Sequence, residues 1–291
     1  MRNKIALAIP TYNPDENFQE ILELILFEKN KIDEIKICDS SSSNGVLEKI
    51  DLTNFNFEII RKQEFSHAGT RTKIAKEYYD KNFKYIIFMT QDVFLQKNAL
   101  ENLIAFIKKD EKIGVAFGKQ EVDLSKGSIF EKYSRNFNYP VKSYTRSVAD
   151  IQEYGIKTIF SSDAFAIYDL EKLNDVNFFG LSGDVSEDMF AAHKLIQKNY
   201  KVGYCAEAKV YHTHNYKLRD EYQRYKSIGI FYKNNMDMVR KYGKTNSQGF
   251  SLVFGELGYL LKRRKFHLVP YSIIRNLVKF IGHKRGIKSA K

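Results

Sequence analysis

In four places the sequence sets polar side chains directly after an apolar run: Thr11-Tyr12-Asn13, Asp39-Ser40-Ser41, Gln91-Asp92, and His212 with His214 two residues on. A fifth cluster, Glu187-Asp188, opens a helical pattern whose apolar positions are Met189, Phe190, Leu195 and Ile196. Carboxylates and imidazoles are the side chains that accept protons and hold cations, while hydroxyls and amides fix a polar ligand by hydrogen bonds. Each cluster also has a plainer explanation. Hydroxyls and amides are ordinary turn residues. Asp92 can cap a helix starting near Asn98 or sit in a loop. Ser186 as N-cap, with two acids in the first turn, is what a helix dipole favours. His212 and His214 lie two apart on an extended segment and so face the same way; either reaches a cleft or is structural.

Alternating elements must position these residues. Residues 4–9 form a short apolar strand, followed by a helix pattern with Phe18, Ile21, Leu22, Leu24 and Ile25 at three- and four-residue spacing. A second strand runs into Asp39, a row of serines and the Asn44-Gly45 turn signal. The third strand, "NFEIIRK", leads through a glycine-containing loop to a helix carrying Ile74, Ala75 and Tyr78. The fourth strand, 85–89, stops at Thr90-Gln91-Asp92 in "FMTQDVF". Strands alternating with helices predict an α/β fold whose parallel sheet is covered on both faces. Ligands of such sheets bind outside the carboxyl ends of the strands, so the three clusters that end strands should share one rim.

In this order the motifs resemble those of the inverting family 2 glycosyltransferases. "AIPTYNP" looks like their first nucleotide loop, "ICDSSSSNG" like their second strand with its base-binding Asp, "FMTQDVF" like their Asp-x-Asp metal motif and "SEDMFAAHKL" like their Glu-Asp motif. The set "FSHAGTR", "FGKQ", "RNFNYP", "SSDAFAIY", "SEDM" and "VYHTHNY" is similar to the bacterial rhamnosyltransferase branch that builds surface polysaccharides, and the match runs over about residues 4–235.

The resemblance implies a GT-A type fold: a single Rossmann-like nucleotide-binding domain with a mixed, mainly parallel sheet over 1–215, and a helical C-terminal extension over 216–291. It implies Asp188 as base with Glu187 beside it, and Mg²⁺ or Mn²⁺ on Asp92 and His212. Pro10, Thr11, Tyr12, Asn13, Asp39, Ser40, Gly69, Arg71 and Gln91 would form the nucleotide site, with Asp39 meeting the imide N–H of thymine or uracil. The implied donor is dTDP-L-rhamnose and the acceptor a lipid-linked glycan. A UDP-hexose donor, or a binding protein without turnover, is the alternative. Thr90 departs from the pattern, standing where the first Asp of Asp-x-Asp would be.

The 291 residues, 43% apolar, suffice for a substantial core. Two thiols, Cys38 and Cys205, each in an apolar run, fit a reducing compartment. The N-terminus runs straight into strand-like sequence, and no run of about 18 uncharged apolar residues occurs, so a cytoplasmic chain that does not span a membrane is expected. The net charge of +12 is concentrated at the end: residues 216–291 hold 18 Lys/Arg against 4 Asp/Glu, leaving 29 against 31 before them. The end also mixes Leu, Ile, Phe and Tyr with these charges, and Pro270 is expected to separate two helices. This pattern suits peripheral contact with an anionic membrane. It equally suits an amphipathic pair packing on the body or in a homodimer. No nucleic-acid-binding module is recognised.

Overall fold

The computed structural model describes residues 3–123, 125–180, 185–243 and 246–290. Its strands are β1 (Ile5–Thr11), β2 (Glu34–Asp39), β3 (Asn56–Ile59), β4 (Tyr85–Met89), β5 (Phe94–Leu95), β6 (Ile113–Glu121), β7 (Tyr144–Arg146), β8 (Phe165–Asp169) and β9 (Lys201–Tyr211). The helices are α1 (Phe18–Phe27), α2 (His67–Asp80), α3 (Ala99–Ile107), α4 (Ile129–Asn138), α5 (Ile151–Tyr154), α6 (Leu170–Asp175), α7 (Glu187–Gln197), α8 (Leu218–Asn234), α9 (Met236–Lys241), α10 (Asn246–Lys262) and α11 (Val269–Ser289).

Chain contacts divide these elements into two units. The first holds residues 1–120, 141–149 and 159–212; the second holds 121–140, 150–158 and 213–291. The second unit therefore contains more than the 216–291 extension: α4 and α5 belong to it as well.

In the first unit the sheet runs β3-β2-β1-β4-β8-β6-β9-β5, with β7 paired to β9. β3, β2, β1 and β4 are mutually parallel, and β8 pairs antiparallel to both β4 and β6. The mixed sheet follows from the sequence. Ile5–Ile9 and Tyr85–Met89 are unbroken apolar runs, buried throughout, as parallel strands covered on both faces must be. α1 presents Phe18, Ile21, Leu22 and Ile25 to the core, each burial contributing about 1.5–3 kcal/mol. Cys38 and Cys205 are buried and free, and burial pushes both thiols up to about 11.

The second unit is helical. α8 and α11 approach backbone to backbone: a Cβ added at Gly282 would lie 2.6 Å from the Tyr222 carbonyl, and one at Gly286 would lie 2.0 Å from that of Lys226. The two helices that Pro270 was expected to separate are α10 and α11, and Pro270 stands in the first turn of α11, where its missing N–H costs no hydrogen bond. Among the described residues no helix is long and apolar enough to cross a membrane.

Candidate active site

β1, β2 and β4 finish at the same edge of the first unit, and their polar ends are tied together. Thr11 stands opposite Asp39 in the β1–β2 register, and its hydroxyl donates to Asp39 Oδ1 at 2.9 Å. Ser42 donates its hydroxyl to the same oxygen at 2.5 Å and its backbone N–H to Oδ2 at 2.8 Å. A carboxylate accepts about four hydrogen bonds, so buried Asp39 keeps one acceptor position for a ligand. Tyr12 and Gln91 clasp each other across the next gap: the Tyr12 N–H donates to Gln91 Oε1 at 2.7 Å, and Gln91 Nε2 donates to the Tyr12 carbonyl at 3.0 Å.

Asn13, at φ +43°, donates its N–H to Ser42 Oγ at 2.7 Å and accepts from the Ser43 N–H at 2.8 Å. Ser40 is buried beside Asp39. Pro10 lies beyond the last β1–β4 pair, Ala8 with Phe88, where a missing N–H interrupts no ladder. The strand-end clusters do share one rim.

Beside Gln91, Asp92 faces His212, which follows β9. Gln120 Nε2 donates to Ser162 Oγ at 2.8 Å, so its Oε1 accepts from His212 Nδ1 at 2.8 Å. The imidazole then turns its Nε2 lone pair to Asp92 Oδ2, 3.3 Å away. Two acceptors at that distance repel unless a proton or a cation lies between them. An imidazole oriented through its other nitrogen and paired with a carboxylate is a common divalent-metal donor set, so the residues present fit a cation. Thr90 does not add to this set; its hydroxyl is buried, without a hydrogen-bond partner among the described residues. His214 belongs to the second unit, where its N–H donates to Glu131 Oε1 at 2.8 Å and its ring stacks on Tyr216.

Glu187 and Asp188 lie in the first turn of α7, as the sequence suggested, but Ser186 does not cap it: Ser186 sits at φ +62° and makes no side-chain cap bond. The acids face a buried guanidinium. Arg71 NH1 is 3.1 Å from Glu187 Oε1, and its Nε is 3.1 Å from Asp163 Oδ2. Asp163 donates its N–H to Asp188 Oδ2 at 3.4 Å and accepts the Tyr168 hydroxyl at 2.6 Å.

Three carboxyls thus share one arginine. Burial, then the charges of Glu187 and Asp163, hold the Asp188 carboxyl well above the usual range. Burial likewise pushes Asp163 up to about 7, against the pull of Arg71. Carboxyls with such proton affinity suit general acid–base work near neutral pH.

Arg71, expected near the base or diphosphate, has its guanidinium in this ion cluster and against the Phe88 ring. Gly69 sits in the first turn of α2, where a Cβ would come within 2.5 Å of Ser66 Oγ, the hydroxyl that caps the helix on the Gly69 N–H. Asp163 and Gln120 went unassigned in the sequence. Both lie in motif strings that carry the resemblance, "SSDAFAIY" and "FGKQ", but neither string says which side chain acts.

Comparison with known proteins bears on this geometry. The Glycosyl transferase family 2 profile matches residues 6–176, which takes in the rim, Asp92, Gln120 and Asp163. The chain belongs to glycosyl transferase family 2. It is 36% identical over 285 residues to the O-antigen chain rhamnosyltransferase RfbN of Salmonella typhimurium, covering 97% of this chain and 89% of that protein. To WbaN of Salmonella anatum, also named an O-antigen chain rhamnosyltransferase, it is 34% identical over 282 residues, covering 96% and 88%. Among solved structures, the mannosyltransferase PcManGT of Pyrobaculum calidifontis, in complex with GDP-Man and Mn²⁺, superposes with a TM-score of 0.61 at 11% identity, covering 98% of this chain and 88% of that one. The GT-A-like fold expected from the motifs is met, with a mixed sheet and a helical C-terminal region. The protein is a glycosyltransferase.

Proposed function

We propose that this family 2 enzyme is an inverting rhamnosyltransferase, moving L-rhamnose from dTDP-L-rhamnose to a lipid-linked saccharide in surface polysaccharide assembly. One observation carries the reading. Within one unit, a strand-end ledge with a spare carboxylate acceptor adjoins a carboxylate–imidazole pair 3.3 Å apart and a carboxyl cluster with raised proton affinity. Rhamnose as the sugar rests on the names of RfbN and WbaN.

In this reading Asp39 accepts the imide N–H of thymine, and the Tyr12–Gln91 clasp keeps the ledge in shape. Asp92 and His212 would hold Mg²⁺ or Mn²⁺, which neutralises charge on a departing diphosphate. Asp188 takes the proton of the acceptor hydroxyl as that oxygen attacks the anomeric carbon from the face opposite the leaving group. Arg71 orients Glu187, which positions the sugar. A catalytic domain over 1–215 and an attachment extension over 216–291 complete the assignment.

The extension is proposed to touch an anionic membrane from the cytoplasmic side. Exposed Ile273, Ile274, Leu277, Phe280 and Ile281 recur at helical spacing on α11, with Lys284, Arg285 and Lys288 exposed after them.

A thermal-shift panel of nucleotide sugars with and without Mn²⁺, followed by donor turnover, tests the reading. A dTDP-L-rhamnose shift that needs Mn²⁺, with turnover, is expected. A shift with a UDP-hexose alone would reassign the donor, and binding without turnover would make the chain a nucleotide-sugar binding protein.

A further inference from the structure

Lys194 stands about two turns after Glu187 on α7, and its ammonium is directed at backbone. It donates to the Phe178 carbonyl at 2.7 Å and to the Asn177 carbonyl at 3.2 Å, and it lies 5.7 Å from the centre of the Phe190 ring. Among the described residues no carboxylate pairs with it, and burial lowers the ammonium to about 8. A partly buried ammonium without a counter-charge costs stability, so what the two carbonyls hold matters.

They hold a strained turn. Asn177 and Phe178 sit at φ +55° and +50°, a backbone region that a side chain as large as Phe rarely enters. Their N–H groups close the end of α6 on the Asn174 and Leu173 carbonyls, each at 2.8 Å. The turn sets the next residue, Phe179, which is fully buried with its ring centroid 5.1 Å from that of Tyr168 and 5.5 Å from that of Phe88. Tyr168 donates its hydroxyl to Asp163, and the Phe88 ring lies 5.8 Å from the Arg71 guanidinium. Phe179 is therefore part of an aromatic floor under the carboxyl cluster. Lys194 ties that floor to the helix whose first turn carries Glu187 and Asp188.

The bond that depends most on this tie is the 3.4 Å contact from the Asp163 N–H to Asp188 Oδ2. It is near the limit of a hydrogen bond, so a small displacement of α7 against the segment before β8 would break it.

We propose that Lys194 is a positioning residue: by clamping the turn at Asn177 and Phe178 to α7, it fixes the Asp188 carboxyl relative to Asp163 and Arg71. Its effect on turnover rests on the reading of Asp188 as the base.

The test compares the full-length wild type with Lys194→Met, which keeps the side-chain length without the donors, and Lys194→Arg, which keeps donors. Amide hydrogen exchange at Asp163 and Phe178 should quicken about tenfold in Lys194→Met and return toward wild type in Lys194→Arg. That measurement needs no substrate, so it decides the clamp whichever nucleotide sugar is the donor. Release of dTDP from dTDP-L-rhamnose should fall about tenfold in Lys194→Met, with the dTDP thermal shift unchanged, and Lys194→Arg should recover to within about threefold of wild type. The melting midpoint of Lys194→Met should stay within about 3 °C of wild type, because two lost bonds are offset by removal of a desolvated charge. In an Asp188→Asn background the Lys194→Met change should slow turnover no further, because residues acting as one unit are not additive.

Unchanged exchange at Asp163 in Lys194→Met overturns the positioning role, as does a turnover loss that multiplies in full with that of Asp188→Asn. A Lys194→Met protein that does not fold, or whose loss of turnover tracks its melting midpoint and is not restored by Lys194→Arg, makes the lysine structural only and overturns it as well. Faster exchange at Asp163, in a protein whose Asp188→Asn variant still turns over within about tenfold of wild type, keeps the clamp and overturns the base assignment instead.

Discussion

Ser162 and Asp163, consecutive residues just before β8, each hold one half of the candidate active site. Ser162 accepts from Gln120, which orients His212 toward Asp92, and Asp163 donates its N–H to Asp188 at 3.4 Å while pairing with Arg71. A two-residue stretch therefore links the Asp92–His212 pair to the buried carboxyl cluster. A shift of this strand start would disturb both.

Asp163 gives this link a pH signature. Its carboxyl is held up at about 7 in the folded chain against an ordinary 3.8, so the folded state keeps a proton that the unfolded state has lost. The contribution to stability is complete below the ordinary value and disappears as pH rises through about 7. Paired acids such as Glu58 and Glu77, held below the usual range, act in the opposite direction, so the comparison must be between variants. In thermal unfolding scans across this range, Asp163→Asn should lose less stability with rising pH than the wild type. Parallel pH profiles would remove Asp163 from the proton-holding cluster.

Gln120→Leu should weaken Mn²⁺ binding about tenfold or more without touching a ligand, because it frees the His212 ring to turn and to change tautomer. Asp92→Ala should abolish Mn²⁺-dependent donor binding outright while leaving the melting midpoint almost unchanged, since Asp92 is half exposed and outside the core. Calorimetric Mn²⁺ titrations measure both. Wild-type affinity in Gln120→Leu would mean that His212 is oriented by some other contact.

The rim was legible because its signal is local. An apolar run that stops at a polar cluster marks a strand end, and Thr11, Asp39 and Gln91 were found that way. The ion pairs of Arg71 were hidden for the opposite reason. Its position near a helix start is local, but its partners Asp163 and Glu187 lie far along the chain and meet it only in the folded state. Gln120 and His212 likewise stand 92 residues apart, a separation that carries no periodicity to read. Ser186 shows the limit of capping rules: residue type suggested the cap, while its left-handed backbone directs the hydroxyl elsewhere.

Asp188→Asn should keep donor binding and lower transfer by about a hundredfold or more, because Asn preserves shape and removes the proton acceptor. The dTDP-L-rhamnose thermal shift and single-turnover transfer separate the two effects. Transfer within about tenfold of wild type would move the base to Glu187 or Asp163, the other carboxyls of the cluster.

The exposed stripe on α11 yields the last prediction, and the packing decides how to test it. Cutting the chain before residue 250 would remove α11 from α8 and leave buried Glu221 without its Arg275 partner, so loss of attachment and loss of fold would be confounded. Replacing Ile274, Leu277 and Phe280 with Asp removes only side chains that are half exposed or more. Each methylene that inserts into the interface contributes about 0.8 kcal/mol, and each basic residue near an anionic surface about 1 kcal/mol. The wild type should therefore sediment with phosphatidylglycerol vesicles at low salt, and the triple variant should remain in the supernatant with its dTDP thermal shift intact. Raising salt should weaken wild-type sedimentation without abolishing it, because charge is screened over about 10 Å while apolar insertion is not. A wild type that stays in the supernatant at low salt, with a triple variant that turns from dimer to monomer in the ultracentrifuge, would make the stripe an interface between two copies of the chain.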